Sequence, residues 1–152
     1  MVAYVRWVCE EDAMAYALMM GLVAQAGYIE RNVSVHARLE SATEHQLDYA
    51  ITLHNRGRRS VTVGVRVADA SLTTDGRTKA VSAWVDANHP FSTRVVPPLP
   101  REVPAGGDAT GGELFALVEA SARTPQTELV ITLAITRKRR TVLVDMAPLR
   151  VR

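Results

Sequence analysis

Apolar and polar residues alternate with a period of two over several stretches of this chain. That pattern places successive side chains on opposite faces of a β-strand. The cleanest run is Ser60 to Ala68, where Val61, Val63, Val65 and Val67 oppose Ser60, Thr62, Gly64 and Arg66. Leu47 to His54 repeats it with Leu47, Tyr49, Ile51 and Leu53, and Glu128 to Thr136 with Leu129, Ile131, Leu133 and Ile135. Thr141 to Met146 adds Val142, Val144 and Met146. Weaker strands are expected over Val33–Leu39, Ala80–Val85 and Phe91–Val96. Glu113–Ser121 would suit a helix stripe equally well, but its setting among strands favours a strand. Turn residues separate these runs. Asn55 to Arg59 lies at hairpin distance between two strands, Asp75-Gly76 marks another turn, and Arg137 to Arg140 joins the last two strong strands. Pro97 to Gly112 holds four prolines and four glycines and reads as an irregular loop.

The first 31 residues differ. They are rich in Ala and Met, and the change to Val- and Thr-rich sequence falls at Glu30-Arg31-Asn32. A helix is predicted over about Glu11 to Gln25, because Ala, Leu and Met are strong helix formers. Glu10, Glu11 and Asp12 suit the positive end of its dipole, and Gly27 is placed to close it. No charged residue occurs between Asp12 and Glu30, a stretch at the lower limit of a membrane span. Its Ala, Gly, Tyr and Gln content favours burial against protein over lipid. The domains expected are thus a helical segment over 1–31 and a β-sandwich over 32–152.

About seven short strands with no intervening helices indicate a mainly β protein, an antiparallel sandwich with an N-terminal α-helix. The segment Leu47 to Val63, read as strand, Asn55-Arg56-Gly57, then a Val-x-Val strand, resembles that of bacterial immunoglobulin-like modules. Val103-Pro104-Ala105-Gly106-Gly107 is similar to the Pro-x-Gly turn that precedes a strand in them. The likeness covers residues 33–152. It implies an immunoglobulin-like sandwich of about seven strands that binds or assembles, with no particular ligand. The immunoglobulin cysteine pair is absent, and Trp84 is a candidate for the core tryptophan.

Composition narrows the classes further. At 152 residues the chain suits one domain with a core. Its 47% hydrophobic residues exclude a wholly disordered chain, and a net charge of +2 excludes a polycation. Cys9 is the one cysteine, so neither an internal disulfide nor a cysteine-based zinc site can form, and a reducing compartment is favoured. Met1 to Asp12 is too acidic for an export signal. These features predict a cytoplasmic protein, or one associated with the membrane on its cytoplasmic face.

Catalytic patterns are missing. The sequence has no G-x-S-x-G, no P-loop and no dinucleotide-binding glycine pattern. Cys9 precedes two glutamates that would raise its pKa. His36 and His54 could share a sheet, but two histidines commonly do so without metal, and His89 sits in a turn. Asp48, Glu128 and Asp145 read as scattered outer-face charges. No enzyme activity, cofactor or metal is expected.

The basic turns carry more information. Arg56, Arg58 and Arg59 occupy one turn, and Arg137, Lys138, Arg139 and Arg140 another, together seven of the eighteen Lys and Arg. Immunoglobulin topology would bring both turns to one end of the sandwich, beside the point where the N-terminal helix enters it. Arginine there favours bidentate recognition of phosphate or carboxylate.

Three functional readings follow. The first is a non-enzymatic binding or assembly module, a structural subunit that associates with itself or another protein. The second is a membrane-tethered module anchored by residues 13–29, its basic turns facing anionic headgroups. The third is a binder of nucleic acid or another anionic polymer, which lacks aromatic residues beside the turns for base stacking.

Overall fold

The computed structural model describes residues 4–8, 27–86 and 98–151. Eleven strands in these residues form two antiparallel sheets, against the roughly seven expected. In chain order they are β1 (Tyr4–Val8), β2 (Val33–Ala42), β3 (Gln46–Asn55), β4 (Val61–Thr74), β5 (Arg77–Ala80), β6 (Ala83–Val85), β7 (Pro100–Val103), β8 (Asp108–Leu117), β9 (Thr127–Arg137), β10 (Arg140–Asp145) and β11 (Leu149–Arg150). One sheet has seven strands, in the order β1-β10-β9-β4-β5, with β11 paired to β9 and β7 to β4. The other has four, in the order β2-β3-β8-β6.

The alternating residues fill the space between the sheets. Leu47, Tyr49, Ile51 and Leu53 from one sheet meet Val61, Val63, Val65, Leu129, Ile131 and Leu133 from the other, all of them buried. Removing each such side chain from water contributes about 1.5–3 kcal/mol. The alternation in β4 breaks at one place. The register shifts between Val67 and Asp69, so Ala68 is the extra residue of a β-bulge. Burial then moves from Val61, Val63 and Val65 to Ala70 and Leu72, and Val67 is only partly covered.

Several sequence expectations need correction. The helix over Glu11–Gln25, Cys9, His89 and the Phe91–Val96 strand lie outside the described residues. Near the N-terminus, Tyr4–Val8 is an edge strand antiparallel to β10. Helix in the described N-terminal residues amounts to one turn, α1 (Tyr28–Asn32). Gly27, expected to close the Glu11–Gln25 helix, does not take the left-handed conformation. It has φ −68° and ψ 177° and caps the start of α1. No helix among the described residues is long and apolar enough to cross a membrane.

The Pro97–Gly112 stretch is largely regular. Pro100–Val103 pairs with Val61–Gly64 at the edge of the larger sheet, where a missing proline N–H costs nothing. Gly111 and Gly112 lie inside β8 at a second bulge, facing Ile51 and Thr52 of β3. Gly112 adopts φ 97°, and a Cβ on Gly111 would stand 2.5 Å from the Ile51 Cγ2. Glycine is needed at both places, for conformation at one and for space at the other. Ala80–Val85 is divided between β5 and β6, which belong to different sheets. Glu113–Ser121 is strand as far as Leu117. Trp84 is buried and stacks on Phe115, with ring centroids 5.5 Å apart.

Candidate anion-binding site

The connection after β3 is too short to suggest anything but a hairpin, yet β3 and β4 belong to different sheets. Asn55–Ser60 is therefore an arch from one sheet to the other. Asn55 holds it in shape. Its side chain is fully buried, its Oδ1 accepts from the Gly57 N–H at 2.9 Å, and its Nδ2 donates to the Arg59 carbonyl at 2.7 Å and the Val103 carbonyl at 3.3 Å. Such a side-chain turn is what an asparagine two residues before a glycine supplies. The β7–β8 turn is pinned beneath, with the Gly106 N–H donating to the Gly57 carbonyl and the Asn55 N–H to the Gly107 carbonyl.

Tyr28 closes the arch from the side. Its hydroxyl is 2.7 Å from the Arg59 carbonyl and 3.1 Å from Asn55 Oδ1, two acceptors for its proton, and it accepts from the Arg59 N–H at 3.1 Å. A Cβ at residue 57 would stand 2.0 Å from that hydroxyl, so the tyrosine can dock only against glycine. Both residues of the Asn-x-Gly pattern thus serve one packing arrangement.

The second basic turn, by contrast, is a true hairpin. Arg137 pairs with Arg140 across β9 and β10, leaving Lys138 and Arg139 as a two-residue turn. Lys138 takes φ 55°, a left-handed conformation usually given to Gly or Asn.

These two turns share one end of the sandwich. Pairing of β4 with β9 sets the start of β4 beside the end of β9, and pairing of Val33 with Asn55 brings α1 to the same end. The Arg59 guanidinium lies 5.3 Å from the Tyr28 ring centroid and that of Arg137 lies 5.5 Å from it. Cations at such distances are attracted by the ring's quadrupole. The three segments carry eight Lys and Arg (the seven expected and Arg31) against one carboxylate, Glu30.

The eight cations are not equivalent. Arg56 donates through Nε and an Nη to the Arg31 carbonyl, at 3.0 and 2.8 Å, and so fastens the end of α1. Arg140 pairs with Glu30 at 2.7 Å, and the Glu30 side chain is only 5% exposed. Those two serve the fold. Arg58, Arg59, Lys138 and Arg139 are exposed and Arg137 is half-buried. None of these five has an ion-pair partner among the described residues. Between α1 and the β9–β10 hairpin runs an open cleft of about 310 Å³, walled by Tyr28, Ile29, Glu30, Val142 and the residues Arg137 to Arg140.

Other chemistry-bearing residues are scattered. His54 bonds Asp108, His45 bonds Glu119, and Asp48 and Asp145 engage Gln46 and Thr132. No group of three or more His, Cys, Asp or Glu among the described residues is arranged to hold a metal ion. Sequence reasoning missed Tyr28, Arg31 and Asn55. The Asn-x-Gly pattern was the available signal for Asn55, but nothing local points from Tyr28 to an arginine 31 residues away.

No protein-family model matches the chain, and no curated protein does either. Among solved structures it is similar to Northeast Structural Genomics Consortium target SoR45, with 13% identity and a TM-score of 0.45 over 81% of this chain and 89% of that one. It is also similar to a protein from Archaeoglobus fulgidus, with 13% identity and a TM-score of 0.39 over 78% and 96%. The apo PCuAC domain from PmoF1 gives 18% identity and a TM-score of 0.32 over 74% and 87%. These are distant likenesses of fold. The fold is a β-sandwich of two antiparallel sheets.

Proposed function

We propose that this protein is a non-enzymatic β-sandwich binding module that engages an anionic partner through the basic end formed by Asn55–Ser60 and Arg137–Arg140. The observation that carries this reading is the convergence of Arg59 and Arg137, from connections of different kind, on the ring of Tyr28. Gathering like charges costs repulsion, and turn geometry needs none of them. Modules of the immunoglobulin-like type that residues 33–152 resemble mostly mediate binding or assembly, which agrees with this role.

The test is retention on heparin, duplex DNA and anionic vesicles across a salt series. The variant to compare is Arg58→Ser/Lys138→Ser/Arg139→Ser, because these three side chains are exposed and have no ion-pair partner among the described residues. A charge-driven site weakens steeply with salt, and the variant loses much of that dependence. Equal weak retention of both proteins on all three anions contradicts the proposal.

A further inference from the structure

Resting on that reading of the basic end, we infer that Arg59 and Arg137, set by Tyr28, form a two-armed clamp for a single phosphate group. Their guanidinium carbons both lie near one ring centroid, at 5.3 and 5.5 Å, which puts them within about 11 Å of each other. A guanidinium drawn to a ring by its quadrupole engages no acceptor there, so its N–H groups remain available to one. Among the described residues no hydrogen-bond acceptor takes the side-chain N–H groups of either arginine. Arg56 and Arg140 differ in this respect, since the first is bound to a carbonyl and the second to Glu30.

The chemistry of two arms favours phosphate among anions. A carboxylate presents its oxygens in one plane, and one arginine fork takes up one edge of it. A phosphate presents oxygens in several directions, so two forks approaching from separate segments can each take a pair. Lys138 and Arg139 add positive charge beside Arg137, along the cleft that it lines with Tyr28 and Glu30; Arg59 is not part of that lining.

Tyr28 is a positioning residue. It touches both arms, and its hydroxyl fixes the backbone at Arg59 through two hydrogen bonds. Without the ring, each arm keeps its charge but loses its orientation relative to the other.

The experiment titrates inorganic phosphate, at constant ionic strength in chloride, into the full chain while following arginine side-chain and Tyr28 ring signals by NMR. A second arm uses phosphatidylcholine vesicles with and without phosphatidic acid. The clamp predicts saturable shifts at Arg59 and Arg137. Arg59→Ser and Arg137→Ser should each weaken binding about tenfold, and the double variant barely more than either, because a clamp needs both arms. Arg58→Ser should cost about twofold, as a screened exposed charge does. Tyr28→Ala should resemble the single-arm variants, and Tyr28→Phe, which keeps the ring, should retain most of the affinity. Binding to phosphatidic acid vesicles with the same arginine dependence, but none to free phosphate, supports the clamp and assigns its phosphate to a lipid headgroup. Equal losses for Arg58→Ser, Arg59→Ser and Arg137→Ser overturn the clamp and leave the basic end as a diffuse anion-binding surface. Losses in none of them, including the Arg58→Ser/Lys138→Ser/Arg139→Ser variant, overturn both.

Discussion

The Tyr28 hydroxyl lies 3.1 Å from the Oδ1 of Asn55, a side chain with no exposure to solvent. This contact joins the segment before the first strand of the smaller sheet to the arch that leads into the larger one. Around it the chain arranges its basic end, so the same few groups determine stability and charge placement there.

Replacing Asn55 by Ala removes a partner of the Gly57 N–H and of the Arg59 and Val103 carbonyls, of which the Arg59 carbonyl keeps the Tyr28 hydroxyl. Each buried group left unpaired costs about 1–3 kcal/mol. We expect a loss of about 2–4 kcal/mol in urea unfolding, with the m-value unchanged. A loss under about 0.5 kcal/mol, typical of a surface substitution, would mean that the arch does not depend on this side chain.

Gly57→Ala places a methyl group where the Tyr28 hydroxyl and Cζ now lie, at 2.0 and 2.5 Å. The ring must leave its seat. The substitution should therefore destabilise the wild type by more than it destabilises a Tyr28→Ala background. A double-mutant cycle by chemical denaturation measures the difference, expected at about 1 kcal/mol or more for residues in contact. Additive effects would show that the two do not touch.

Lys138 occupies a left-handed position that a lysine fills under strain. Lys138→Gly should leave stability unchanged or raise it by about 1 kcal/mol, through relief of a conformation costing about 1–3 kcal/mol. It should also weaken heparin retention. A variant that melts higher yet binds less separates the two roles of the turn. Lower stability would show that the lysine side chain supports the fold.

Part of this architecture is legible in the sequence. Leu47–Leu53 and Val61–Val65 each keep one face buried, and period-two alternation reports that directly; in β9 it reports the face of Leu129, Ile131, Leu133 and Ile135, while Thr132 and Ala134 on the other face are covered as well. The bulge at Ala68 is not legible, because an extra residue changes the phase of burial without changing composition. Pro100–Val103 is hidden for a different reason. Its proline signals a loop, and only the edge position of the strand makes that proline acceptable. The arch at Asn55 has the length of a hairpin, and whether its strands pair depends on partners far along the chain. The seven turn cations were readable as a group, but their division into structural and unpaired members was not. Arg56 and Arg140 find their partners, Arg31 and Glu30, only in the folded chain.

Tyr49 gives a pH-dependent signature of the core. Burial pushes its phenol from 10.0 up to about 12, the nearby charge of Arg123 opposing the shift, and its hydroxyl donates to the Arg150 carbonyl. The unfolded chain releases this proton near pH 10 while the folded chain holds it. The folded state then binds more protons, so stability falls as pH rises from about 10 toward about 12. Tyr49→Phe should make that decline shallower in a pH series of urea unfolding. An identical decline in both proteins would assign it to other groups.

The central claim is that one end of the sandwich is a charge-driven receptor for anions. Its most direct test is the affinity for a fluorescein-labelled heparin oligosaccharide, measured by anisotropy from low to moderate salt. For a receptor contacting several charges, log K falls linearly with log salt, by about 0.7–0.9 per contact on nucleic-acid phosphates. The Arg58→Ser/Lys138→Ser/Arg139→Ser variant, with an unchanged unfolding midpoint, should bind more weakly and lose about two units of slope. The same affinity and slope in both proteins would contradict the account.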